Sequence, residues 1–154
     1  EAAPFEQTLR EGLAASKHHD YVRAQKLLLR ARSQCTSIHP VPERCRTVIA
    51  EATWQLAQLH DQLHHEPEAM AEYQRLTADR QFATMSIDKQ LAVQKAVVRL
   101  SLQLGQVVLS SQSGKRCHRE IQWLTPGSKT VIVDGKPRPI IVRAGERQEV
   151  GECR

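Results

Sequence analysis

The sequence predicts an α+β protein in which a helical region, residues 1–103, precedes a small antiparallel β-module, residues 104–154. Apolar residues recur at helical spacing from Phe5 to about Leu102, and Gly12 is the only glycine before Gly105. After Gly105 the apolar period changes to two, and short stretches rich in Val and Ile alternate with Gly, Pro and Ser. The change of period therefore marks the change of structure.

Five helices joined by short connections, and hence antiparallel helical hairpins, are expected in the first region. Asp20 is suited to accept the first free N–H groups of the second helix. Pro67 suits a first helical turn, where its missing donor costs nothing. The two prolines of residues 33–45, SQCTSIHPVPERC, predict an ordered loop. The predicted helices are Phe5–Lys17, Tyr21 to about Arg32, about Arg44–Leu63, Pro67 to about Ala78, and residues 86–103.

Short strands are expected in the second region. Asp134-Gly135 suits a tight hairpin that needs positive φ, and Gly145 suits the next turn. The prolines around residues 137–139 limit pairing at a sheet edge. The predicted strand segments are QVVLSS (106–111), IQWL (121–124), TVIVDG (130–135), PIIVRAG (139–145) and QEV (148–150).

The cysteines indicate the compartment. The four of them include no CxxC pair and no zinc-finger spacing, so two disulfides are the favoured interpretation. Of the three possible pairings, Cys35–Cys45 and Cys117–Cys153 are favoured because each closes a loop within one region. We expect a bacterial periplasmic or secreted protein, with any signal peptide outside this chain, which begins at Glu1. The alternative is a cytoplasmic protein with four reduced thiols.

Part of the helical region resembles a tetratricopeptide repeat. The stretch Gly12-x-x-Ala15, His19-Asp20-Tyr21, Ala24, Leu28 and Ala31 follows that family's pattern of small residues at helix crossings. A second, weaker copy of the repeat covers residues 53–78. It lacks the Asp-Tyr turn, and it follows the first copy by 45 residues, whereas the repeat length of the family is 34. The resemblance implies two helical hairpins, with the fifth helix as a cap.

The β-module resembles the PEGA module of bacterial surface and envelope proteins. Residues 105–111 (GQVVLSS), 130–137 (TVIVDGKP) and 139–150 (PIIVRAGERQEV) follow its order of strands and turns. The chain departs from that family in an insertion-like segment, residues 112–129, and in Ala144-Gly145, which replaces the name-giving turn. Both families bind or scaffold other proteins, and neither resemblance brings catalytic residues.

Catalytic and metal sites are not indicated. His60 and His64 lie four residues apart near a helix end, a spacing that can hold a metal, but neither a third ligand nor a general base accompanies them. Solvated histidines at a helix C-terminus are the favoured interpretation. The sequence also contains no nucleophile elbow and no glycine-rich phosphate loop. A metal-dependent enzyme stays an alternative, and no cofactor is expected.

Charge concentrates in the β-module. The net charge is +5, and residues 103–154 carry 9 Lys and Arg against 5 Asp and Glu, compared with 13 against 12 in residues 1–102. This surplus is compatible with binding of an anionic envelope polymer or nucleic acid, although only Trp123 in residues 103–154 could stack on a base. No stretch is apolar enough for a membrane helix.

The favoured function is that of a non-catalytic adaptor, or an assembly subunit, of a bacterial envelope complex, whose partner is another protein. The residues predicted to contact the partner are Trp123, Lys136, Arg138 and Arg143. For Trp123 the alternative is packing in the core. For Arg138 and Arg143 it is the solvated outer face of half-buried strands.

Overall fold

A computed structural model of the chain describes residues 3–153 and confirms the predicted α+β class. The chain divides between Gln94 and Lys95 into two compact units, so that the division falls inside the fifth helix. The predicted domain boundary after residue 103 stays a prediction.

None of the helices in the described residues is both long and apolar enough to cross a membrane. The helices are α1 (Pro4–Lys17), α2 (Tyr21–Thr36), α3 (Glu43–Gln62), α4 (Glu66–Ala78), a 3-10 helix (Arg80–Thr84) and α5 (Ile87–Gln103).

The turn between α1 and α2 has the predicted cap. Asp20 accepts a hydrogen bond from the backbone N–H of Arg23 at 3.3 Å, and His19 adopts a left-handed conformation with φ of 59°. Where the two helices pack, a Cβ added to Gly12 would lie 3.1 Å from Leu28 Cδ2. The absence of a side chain at residue 12 therefore lets α1 and α2 approach closely.

The first disulfide joins the end of α2 to the start of α3. Cys35 and Cys45 are fully buried with their Cα atoms 5.1 Å apart, and they cluster with Ala31 and Val48. The predicted pairing is confirmed. The predicted end of the second helix near Arg32 is wrong, because α2 continues to Thr36 and places Cys35 in its last turn.

The strands of the second unit form two small sheets. The first sheet has the order β2–β1–β5 and the second consists of β3 and β4. β1 pairs with β2 antiparallel over nine residue pairs but with β5 in parallel, so the largely antiparallel module contains one parallel pair. The strands are β1 (Gly105–Ser113), β2 (Arg116–Leu124), β3 (Gly127–Val133), β4 (Lys136–Val142) and β5 (Arg147–Val150).

The insertion-like segment, residues 112–129, is an integral part of the module. Its first residues extend β1, and a turn at Gly114 leads into β2, which begins five residues before the predicted strand segment. All of residues 116–121 are exposed, so β2 lacks the alternating apolar pattern that would reveal it in the sequence.

The core of the second unit lies between these strands. The cluster contains Val107 and Leu109 of β1, Val131 and Val133 of β3, Val142 of β4 and Val150 of β5. The second predicted disulfide is also confirmed: it joins Cys117 of β2 to Cys153, with Cα atoms 5.6 Å apart. It thus holds the chain end beyond β5 to the far edge of the first sheet.

Candidate functional site

The hairpin β3–β4 carries most of the residues predicted to contact a partner. Its loop is Asp134-Gly135, with φ of 54° and 74°, and Val133 pairs with Lys136 across it. Left-handed φ at both loop positions is typical of the type I′ turn, whose twist matches that of the flanking strands. The predicted hairpin is therefore confirmed.

This turn determines which backbone groups pair. In a two-residue hairpin the residues flanking the loop exchange both hydrogen bonds, and paired positions then alternate along the strands. Val133 and Lys136 form such a pair, as do Val131 and Arg138. Pro137 and Pro139 fall at the intervening positions, where a missing N–H removes no bond of the hairpin.

The hairpin has one buried and one exposed face. Val131, Val133 and Val142 face the core, with exposures of 2–5%. On the opposite face the side chains of Ile132 and Ile141 are 61% and 65% exposed. Pro137 and Pro139 share this face with them, so the row of exposed side chains on the outer face of the hairpin is largely apolar.

A depression of about 570 Å³ also lies against the end of the hairpin away from its turn. The full lining is Ser128, Lys129, Thr130, Pro139, Ile140 and Ile141.

Three of the predicted contact residues are cations of this hairpin. Lys136 and Arg138 lie in β4, Arg143 follows it directly, and all three are exposed. Within residues 3–153 neither these side chains nor Lys129 forms a salt bridge or a side-chain hydrogen bond. By strand alternation, Lys136 and Arg138 lie on the same face of the hairpin as Val142, whereas Arg143 lies on the side of Ile141. The charges therefore surround the hairpin instead of lining one face.

Trp123, the fourth predicted contact residue, lies in the other sheet. It is half-buried in β2, opposite Gln106, and so on the face of that sheet turned away from Val107 and Leu109 of the core cluster. Its indole Nε1 is buried and has no hydrogen-bond partner among the described residues. The structure thus brings Lys136 and Arg138 together and places Trp123 elsewhere in the module.

Of the histidines near the end of α3, His64 and His65 are exposed as predicted, but His60 is not. His60 is only 8% exposed, and burial lowers its pKa from the usual 6.5, although Glu68 and Glu72 act in the opposite direction. His64 is not the helical neighbour of His60, because α3 ends at Gln62 and His64 adopts a φ of 58°. The ring of His65 lies 5.7 Å from that of His60 instead.

No metal site emerges around these rings. Across residues 3–153 no group of three or more His, Cys, Asp or Glu side chains has the arrangement to hold a metal ion. The Nδ1 atom of His60 is buried without a hydrogen-bond partner, which accords with a neutral imidazole in a packed helix end.

A buried ion pair in the first unit has no counterpart in the sequence predictions. Arg32 of α2 binds Glu72 of α4 through both guanidinium Nη atoms, and Arg32 Nη1 also donates to Thr53 Oγ1 of α3 at 3.3 Å. The Arg32 and Glu72 side chains are 12% and 11% exposed. These contacts tie three helices together, so their role is structural.

An exposed apolar stripe on α5 is a second feature that the predictions missed. Ile87, Leu91, Val98 and Leu102 recur at helical spacing along one face, with exposures of 47–73%. The period that predicted the helix could also have revealed this second apolar face, opposite Val93 and Leu100.

Comparisons with known proteins found no match to this chain among protein families, curated proteins or solved structures. The class that the chain itself defines is an α+β protein with two disulfides and a β-hairpin that carries exposed isoleucines on its outer face and unpaired cations around it.

Proposed function

We propose that the chain is a non-catalytic protein-binding adaptor, or an assembly subunit, of a bacterial envelope complex. The observation that carries the proposal is the exposure of Ile132 and Ile141 on one face of a hairpin whose exposed cations Lys136, Arg138 and Arg143 are unpaired. Exposed apolar area surrounded by charge is the composition of a protein interface, with an apolar centre and a polar rim.

Two further observations support the compartment and the role. The two disulfides are compatible with a secreted or periplasmic protein, since thiols stay reduced in most cytosols. The resemblances to tetratricopeptide repeats and to the PEGA module favour binding over catalysis, because repeat helices and small β-modules both present surfaces to partners.

Site-specific cross-linking tests the proposal. A photo-cross-linking amino acid at Ile141, in the full chain within native envelope, should trap one defined protein that Ile132→Asp removes. The matched control is the same amino acid at Val22, which is 76% exposed on α2. Identical products at the two positions, or no protein product at residue 141, would contradict a protein-binding role for the hairpin.

The unpaired cations favour one second candidate, the binding of an anionic envelope polymer or nucleic acid. Binding of this kind weakens steeply with salt, and each lost phosphate contact lowers the slope by about one. Retention on an immobilised polyanion should then fall strongly between low and high salt, with a smaller slope in Arg138→Gln and Arg143→Gln. Salt-independent retention would exclude this candidate.

A further inference from the structure

The outer edge of β3 is an unpaired sheet edge. Because Val133 and Val131 direct their backbone groups to β4, Ser128, Thr130 and Ile132 direct theirs away from it. The second sheet has only these two strands, and no other hydrogen bond to the three outward-facing residues occurs in residues 3–153. Three N–H and three C=O groups of β3 therefore face outward in a row.

The opposite edge of the hairpin is closed to pairing. Pro137 and Pro139 occupy outward-facing positions of β4 and offer no N–H. The outward carbonyl oxygen of Ile141 already accepts a hydrogen bond from the side-chain Nε2 of Gln148 at 2.8 Å. Exposed edges are commonly blocked in this way against unwanted pairing. Only the β3 edge of this hairpin is left open.

We propose that β3 binds an extended acidic segment of another protein by strand addition, with Ser128, Thr130 and Ile132 supplying the backbone ladder. This inference rests on the proposed protein-binding function and specifies how the partner is held. Strand addition takes its affinity from main-chain hydrogen bonds and its specificity from alternate side chains of the added strand.

Charge selects the acidic segment over a second copy of this chain. Residues 127–143 hold four cations, Lys129, Lys136, Arg138 and Arg143, and one acid, Asp134. Pairing β3 with β3 of another copy would bring two such surpluses together, whereas an acidic strand neutralises one.

The register also predicts which side chains should alternate along the added strand. On one face of the added strand the side chains would lie beside Thr130 and Ile132, where β-branched residues pack well. On its other face they would lie beside half-buried Lys129. The matching segment therefore alternates Thr, Val or Ile with Asp or Glu.

A library of seven-residue peptides with this alternation, screened on the full disulfide-bonded protein, is the probe. In the free protein the outward amides of Thr130 and Ile132 should exchange rapidly with solvent, while those of Val131 and Val133 are protected by β4. The selected peptide should slow exchange at Ser128, Thr130 and Ile132 and leave Val131 and Val133 unchanged. A scrambled peptide of equal charge should bind at least about tenfold more weakly, because its acidic and β-branched side chains no longer alternate to match the two faces of β3.

One pair of variants separates the backbone from the side chain. Thr130→Pro removes an outward donor at a position equivalent to those of Pro137 and Pro139, and it should weaken peptide binding at least about tenfold. Thr130→Val keeps the donor and should bind like wild type. If Thr130→Pro fails to fold, peptides N-methylated on alternate amides give the same comparison: one of the two methylation registers should abolish binding and the other should not.

Several results would overturn the strand-addition proposal. They are equal binding by Thr130→Pro and Thr130→Val, equal binding by both methylation registers, equal binding of the scrambled peptide, or protection of the same amides by self-association without peptide. If cross-linking at Ile141 still traps a partner in any of these cases, the protein-binding function stands and only strand addition fails. If nothing is trapped there, the function itself fails.

Discussion

Arg32 and Glu72, forty residues apart in the chain, form a two-point salt bridge whose side chains are 12% and 11% exposed. Glu72→Ala would leave the guanidinium buried without its carboxylate, and we expect the free energy of unfolding to fall by about 3–5 kcal/mol. Urea denaturation followed by far-UV circular dichroism measures the loss.

The control for this prediction is the exposed pair Arg46–Glu43, with an N–O distance of 3.7 Å. Glu43→Ala should cost less than about 1 kcal/mol, because solvent screens this pair. The double replacement Arg32→Met with Glu72→Leu should recover much of the loss, since no charge is then left unpaired. A loss for Glu72→Ala as small as that for Glu43→Ala would mean that the buried pair is not desolvated in solution.

His60 makes the stability of the helical unit depend on pH. Because burial lowers the pKa of His60 in the folded state below 6.5, the unfolded chain binds the proton more readily than the folded one. The stability that comes from its neutral ring is fully present above about pH 6.5 and is lost as the pH falls from there through the folded-state pKa. Thermal unfolding at a series of pH values detects this slope.

Substitution identifies the group responsible for this slope. His60→Gln should flatten the pH dependence just below pH 6.5. If the slope persists in His60→Gln, it comes from another group.

The elements that the sequence predicted well are those with local chemical signals. Asp20 is a capping residue at a helix start, and Asp134-Gly135 has the composition of a type I′ turn, so both could be located from neighbouring residues alone. The cysteine pairing followed from the division of the chain into two regions, since a bridge within each region joins the nearer partners.

The elements that were missed depend on contacts distant in sequence or on segments without an apolar period. Arg32 and Glu72 look like ordinary surface charges until α2 and α4 are brought together. Residues 116–120 of β2 are exposed and include no large apolar side chain, and therefore give no strand pattern. The parallel pairing of β1 with β5 likewise has no local signal. The hairpin cations were predicted as contact residues, but the open edge of β3 follows only from the register.

The two disulfides should stabilise separate parts of the chain. They span sequence separations of 10 and 36 residues, for which loop closure predicts stabilisation of about 3 and about 4 kcal/mol. Replacing Cys117 and Cys153 by Ala should speed hydrogen exchange chiefly in β1–β5. The matched replacement of Cys35 and Cys45 should speed it chiefly in α2 and α3.

Mass spectrometry gives a direct check of both bridges. The untreated protein should gain the mass of four hydrogen atoms on reduction, and peptide mapping should recover Cys35 with Cys45 and Cys117 with Cys153. Four alkylatable thiols without reductant would refute both the pairing and the extracytoplasmic compartment.

Gly151 and Gly114 test how tightly the end of the chain packs on the first sheet. Both have positive φ, 86° and 62°, but a Cβ on Gly151 would collide with the carbonyl oxygen of Ser110 and lie 2.9 Å from Val133 Cγ1, whereas one on Gly114 meets nothing within 4 Å. Gly114→Ala should therefore cost only the backbone strain of about 1 kcal/mol, and Gly151→Ala should cost at least about 2 kcal/mol more because backbone atoms cannot move aside easily. Equal melting temperatures for the two variants would show that the segment after β5 is not held against Ser110 in solution.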